Sequence, residues 1–274
     1  MNHAITALNA LLPLLYLATV AAYARAFFSA SPVAKTAKTP LLIAALSVHL
    51  TYLLARTVFL GHPPITSLPE ILSVIAFSIS LAYFLLEYWT KVKGTGCFIL
   101  GLPLLFQLAS SLLIVNRTDV DPVLKSRLLG IHVSGALLGY AALAIAAVYG
   151  FLYLMLYHEI KSSRLGVVYE RLPSLEVLER LSFISTATGF FFLTVAIAVG
   201  MAWLARAFPG HSYVDPKLIG TALIWLVYGA GLGLREAAGW YGKKFAVLSI
   251  LGFALALLSM TVINLFFRGF HNFS

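Results

Sequence analysis

Eight apolar stretches run through this sequence, each close to the length of a membrane span, and most ionisable residues lie between them. A helix needs about 20 mostly apolar residues to cross the roughly 30 Å hydrocarbon core of a bilayer. The stretches at 4–26, 40–60, 69–90, 95–115, 128–157, 181–206, 217–236 and 245–268 meet that requirement. They are continuous runs, not the ten-residue alternations of a membrane barrel, so they predict helices. The expected fold is therefore all-α: a polytopic transmembrane bundle of about eight spans, forming a single domain over residues 1–274.

Composition agrees. Hydrophobic residues make up 61% of the chain and charged ones 11%, with a mean hydropathy of +0.93. Soluble domains carry about 25% charged residues. The net charge of +9 would suggest nucleic acid for a soluble protein; here it places Lys and Arg in loops, and no nucleic-acid partner is expected. The first stretch has span length and lacks a basic n-region, which argues against a cleaved signal peptide. A lone cysteine, Cys97, excludes an intramolecular disulfide, a CxxC redox pair and a multi-cysteine metal site.

Positive charge sets the expected orientation. The loops after spans 1, 3, 5 and 7 and their borders hold Arg25, Lys35, Lys38, Lys91, Lys93, Lys161, Arg164, Arg171, Arg180, Arg235, Lys243 and Lys244, twelve in all. The other side holds seven: Arg56, Arg117, Lys125, Arg127, Arg206, Lys217 and Arg268. The excess puts the odd-numbered loops in the cytoplasm and both termini outside. On that topology His62, His132, His211 and His271 gather at the extracytoplasmic face.

These histidines are the candidate ligands. His132 opens span 5 and His271 follows span 8. At one membrane face the pair can approach a flat ring from opposite sides, as axial imidazoles do with haem iron. Zinc is the competing metal; it requires a third or fourth ligand, which Asp215 and His211 offer. His49 lies within span 2, where an ionisable residue is a functional candidate by default and a hydrogen bond to a neighbouring helix is the structural alternative. His62 reads as an interfacial turn residue; His3 and His158 read as solvated. Between spans 6 and 7, Trp203, Arg206, Tyr213, Asp215 and Lys217 form an aromatic and basic segment. Arg206 or Lys217 could meet carboxylates there, and Asp215 could cap the helix that Pro216 begins.

Four landmarks give the chain its resemblance. They are His132-Val133-Ser134-Gly135-Ala136-Leu137-Leu138-Gly139-Tyr140, then Leu172-Pro173-Ser174-Leu175-Glu176-Val177-Leu178-Glu179-Arg180-Leu181-Ser182, then Asp215-Pro216-Lys217 with Trp225-Leu226-Val227-Tyr228 and Leu234-Arg235, and last Asn264 to His271. In this order they resemble the cytochrome c assembly family, the haem-handling membrane proteins that include the CcsA, CcmC, HemX and YpjD groups. The upstream turn Gly61 to Glu70 is also similar. The resemblance covers roughly residues 40–274 and is strongest after 130.

It implies a multi-pass protein of the cell inner (plasma) membrane that binds haem through His132 and His271. Such a protein would hold or present haem for cytochrome c maturation by coordination, with no bond chemistry from its own side chains. Apocytochrome c and a CcsB-type membrane partner are the implied associates. A HemX-like regulator of haem synthesis is the alternative, docking through the 158–180 loop and its Leu175, Leu178 and Leu181 stripe. A transporter is a third reading, opposed by the lack of repeated halves and the scarcity of intramembrane carboxylates. The chain departs from the family's tryptophan-rich loop: Val214 and Gly220 stand at tryptophan positions and Leu218 at an acidic one. Gly233 occupies the place of an internal histidine. These departures imply weaker haem retention than in a full CcsA-type protein.

Overall fold

A computed structural model of the chain describes residues 2–115, 126–163, 166–207 and 215–266. The described residues fold into helices and contain no strand: α1 (Asn2–Phe28), α2 (Pro32–Leu60), α3 (Leu68–Thr90), α4 (Gly96–Ile99), α5 (Gly101–Leu113), α6 (Arg127–Lys161), α7 (Val167–Arg171), α8 (Leu175–Ala207), α9 (Pro216–Ala238) and α10 (Lys243–Phe266). Among them, seven helical segments are long and apolar enough to cross a membrane, α4 and α5 together forming the fourth. The eighth expected stretch, 245–268, is helical as α10 over Lys243–Phe266. Large apolar side chains such as Leu14, Leu54, Leu112, Leu226 and Leu251 stay on the outside of the bundle, which suits a lipid surround. The chain is a membrane protein.

Helix boundaries follow local chemistry. Ser31 accepts the Ala34 amide at 3.4 Å and Pro32 begins α2, where a missing N–H costs nothing. The same helix stops at Gly61, whose φ of 73° sends its amide back to the Thr57 carbonyl at 3.0 Å. Leu68 and Pro69 start α3, with Glu70 in its first turn.

The central helix is α6, which packs against α3, α8 and α10. Its contact with α8 is a seam of small residues that lets the two backbones approach. A β-carbon at Gly139 would lie 3.0 Å from Leu193. Polar anchors join a third helix: Ser182 Oγ donates to the Ala146 carbonyl (3.0 Å) and to Ser249 Oγ (3.1 Å), tying α6, α8 and α10.

Two helices run further than hydropathy predicts. With 35 and 33 residues, α6 and α8 extend roughly 50 Å at about 1.5 Å per residue. Most of the expected 158–180 loop is thus helical. The leucine stripe assigned to docking is spent internally: Leu178 and Leu181 are buried in the main core, and Leu175 packs against it.

Cross-links show which loops share an end. At one end Asn9 Nδ2 donates to the Ser111 carbonyl (3.2 Å), Arg56 pairs with Glu70, and Pro63 abuts Gly130. This is the end of the even-numbered loops. At the other, the odd-loop end, Lys38 donates to the Lys93 carbonyl and Arg171 to that of Phe27.

Candidate functional site

His132 lies in the second turn of α6, at the even-loop end. Its Nδ1 is 2.7 Å from the carbonyl oxygen of Ala196 on α8. A carbonyl only accepts, so Nδ1 carries the proton, and a neutral ring then has its lone pair on Nε2. Nε2 has no partner among the described residues. A metal-ligating imidazole is held in the same way, by a hydrogen bond from its other nitrogen.

The ring fits because α8 carries no side chain at Gly200. A β-carbon there would lie 2.5 Å from His132 Nδ1 and 2.6 Å from Cε1. Gly200 sits one turn beyond Ala196, so one face of α8 supplies both the acceptor and the space.

One turn further, Trp203 is buried at 4% exposure. It packs with Leu129 and Leu204, and Leu128, Val133 and Leu218 close around them. It contributes a packed wall that joins α6, α8 and α9. Arg206 is exposed near the end of α8. Asp215 is buried, and its carbonyl accepts the Ile219 amide at 3.0 Å to open α9. Lys217 lies in the first turn of that helix. His211, Tyr213 and His271 lie outside the described residues. Among the described residues, no three His, Cys, Asp or Glu side chains converge as a metal site.

The remaining histidines divide clearly. His62 lies in the turn between α2 and α3, as expected, but is buried there, and its Nδ1 donates to the Pro63 carbonyl at 2.9 Å. The turn folds back on α6: a β-carbon at Gly130 would sit 3.7 Å from Pro63 Cγ. His3 and His158 are exposed, as expected.

His49 is fully buried with both nitrogens engaged. Ser73 Oγ donates to Gln107 Oε1 (2.9 Å), so it accepts from His49 Nε2 (2.9 Å). Nδ1 is then the acceptor for the Tyr16 hydroxyl at 2.9 Å. Gln107 continues to Ser111 (3.0 Å), which bonds back to Asn9. The chain of bonds links α1, α2, α3 and α5, as the structural alternative for His49 required.

Sequence reasoning missed the buried charges. Arg56 and Glu70 pair at 2.8 Å, each 2% exposed. Glu70 also accepts the Thr66 amide and hydroxyl at 2.9 and 2.8 Å, which fixes the turn around His62. The fourteen-residue spacing across a Gly/Pro turn was the available signal. Two of the sequence landmarks also meet: Arg235 Nε donates to Glu179 Oε1 at 3.1 Å, with its guanidinium 3.8 Å from the centre of the Phe183 ring. Trp225 packs against α8, stacked on Phe190 and donating to Thr194 Oγ1 at 2.8 Å.

Comparison with known proteins places this geometry in context. Residues 7–271 match the family described as "Cytochrome C assembly protein". The chain is similar to proteins named cytochrome c biogenesis protein CcsA. That of Parasynechococcus marenigrum is 29% identical over 279 residues, covering 90% of each chain. That of Pyropia yezoensis is 27% identical over 252 residues, covering 78% of this chain and 79% of the relative. That of Prochlorococcus marinus is 30% identical over 246 residues, covering 81% and 79%.

Proposed function

Since this chain belongs to the cytochrome c assembly family, we propose that it handles haem for cytochrome c biogenesis, with His132 and His271 as the residues that would hold it. The observation that carries the reading is the bond from His132 Nδ1 to the Ala196 carbonyl. It fixes the imidazole so that Nε2, the nitrogen able to ligate iron, is left without a partner among the described residues. When bound, haem would supply an iron centre that accepts two imidazole nitrogens and is passed on for attachment to apocytochrome c.

The side chains bind and orient rather than react. Trp203 and its apolar neighbours would exclude water beside His132. Arg206 or Lys217 would meet the propionates, with Tyr213 in the same segment, and Asp215 helps set the start of α9. By the Lys/Arg count, the even-loop end faces away from the cytoplasm, in the cell inner membrane. A CcsB-type membrane partner fits this role. The HemX-like reading is weaker because its docking stripe is buried.

One spectrum tests the proposal. Purified protein given haem should show a low-spin absorption spectrum before and after reduction. His132→Ala and His271→Ala should each abolish or shift it, whereas His3→Ala and His158→Ala should leave it unchanged. Identical spectra from all four variants would reject the ligand assignment.

A further inference from the structure

At the odd-loop end, far from His132, a cavity of about 420 Å³ opens between α1, α2, the α3–α4 link and α7. That volume falls within the roughly 300–1,000 Å³ of small-ligand pockets. Four cations line it: Lys35, Lys38, Lys93 and Arg171.

Among the described residues, none of the four forms an ion pair with a carboxylate. The nearby acid, Glu87, is buried and committed elsewhere. It accepts from Tyr23 at 2.9 Å, Tyr83 at 2.5 Å and Thr39 at 3.2 Å. Lys38 is itself buried, with its ammonium 4.8 Å from the centre of the Tyr23 ring. It donates one hydrogen bond to the Lys93 carbonyl, and Arg171 donates one to that of Phe27. An ammonium has three N–H donors and a guanidinium five, so most remain for a ligand. The arrangement is fixed by backbone: a β-carbon at Gly94 would sit 3.3 Å from the Arg171 carbonyl.

One wall is apolar. Phe27 packs edge-on against Phe28 and Phe98, and Phe28 is exposed. The cations therefore border an exposed apolar surface suited to acyl chains. Basic pockets between membrane helices at the cytoplasmic side select anionic lipid head groups. We propose that this cavity is a site for the phosphate group of an anionic phospholipid, held by Lys38 and Arg171 at its base and by Lys35 and Lys93 at its rim. The site is independent of the haem reading and stands or falls apart from it.

The test compares two charge-matched variants in nanodiscs of phosphatidylcholine containing a minor fraction of phosphatidylglycerol. One is Lys35→Gln with Lys93→Gln; the other is Lys243→Gln with Lys244→Gln, at the same end but outside the cavity. Phosphatidylglycerol retained per protein is read by native mass spectrometry. At about five-fold per lysine, the cavity pair should lower affinity by roughly twenty-five-fold, and the control pair should leave it near wild type. Titration of detergent-purified protein with inorganic phosphate separates the sources. Phosphate binding that the cavity pair removes, without a lipid difference, would support the anion site and assign it to a soluble phosphate. Equal lipid retention in the two pairs together with no phosphate binding would overturn the proposal.

Discussion

His132 and Ala196 are joined across the α6–α8 seam by a 2.7 Å hydrogen bond from the imidazole Nδ1 to the backbone carbonyl. A main-chain acceptor has no side chain to rotate, so the ring's orientation is set by the packing of two long helices. That is why the small residues of the seam matter to a site at its end.

Gly200→Ala should therefore disturb the site without unfolding the bundle. The added methyl would lie 2.5 Å from Nδ1, so the ring must turn and release Ala196. Losing such an orienting bond typically weakens metal affinity about 10–100-fold. Haem titration of the variant should show that loss, with unchanged helical circular dichroism. Unaltered haem affinity would mean that the ring's seat is unimportant.

The buried pair Arg56 and Glu70 makes a stability prediction. Glu70→Ala leaves a buried guanidinium without its carboxylate, and breaking such a pair costs about 3–5 kcal/mol. It also frees the Thr66 amide and hydroxyl. Thermal unfolding in detergent should show a large decrease. Arg56→Met combined with Glu70→Met should recover much of it, since replacing both partners by apolar groups is often neutral.

His49 should behave as a structural residue. Ser73→Ala strands both His49 Nε2–H and Gln107 Oε1, each unsatisfied group costing about 1–3 kcal/mol. Stability should decrease while the haem spectrum stays the same. A changed spectrum in Ser73→Ala or His49→Phe would implicate the interior histidine in haem contact.

Orientation is checked by reporter fusions. Fusions after Lys93 and Lys244 should read as cytoplasmic, and fusions at the C-terminus as extracytoplasmic. A cytoplasmic C-terminus would separate His271 from the face assigned to His132.

The spans were legible because length and continuity of apolar residues leave few alternatives to a membrane helix. The ends of α6 and α8 were not, because His158 to Lys161 and Leu175 to Arg180 are mixed in polarity yet remain helical. His132 stood out through its place at a span border and through family resemblance. Its acceptor did not: a carbonyl at Ala196 has no signature in sequence, and Gly200 is one of 20 glycines. Arg56 was counted as a loop charge because hydropathy cannot foresee that Glu70 would neutralise it in the interior. The burial of His62 was illegible for the same reason, since the turn that Glu70 organises folds inward over it.

The central claim is that His132 presents Nε2 to haem iron. It is tested most directly by His132→Gly protein loaded with haem and then supplied with free imidazole. Removing the side chain should abolish the low-spin spectrum, and imidazole occupying the vacated space should restore it. A His132→Gly protein that keeps the wild-type low-spin spectrum without imidazole would contradict the account.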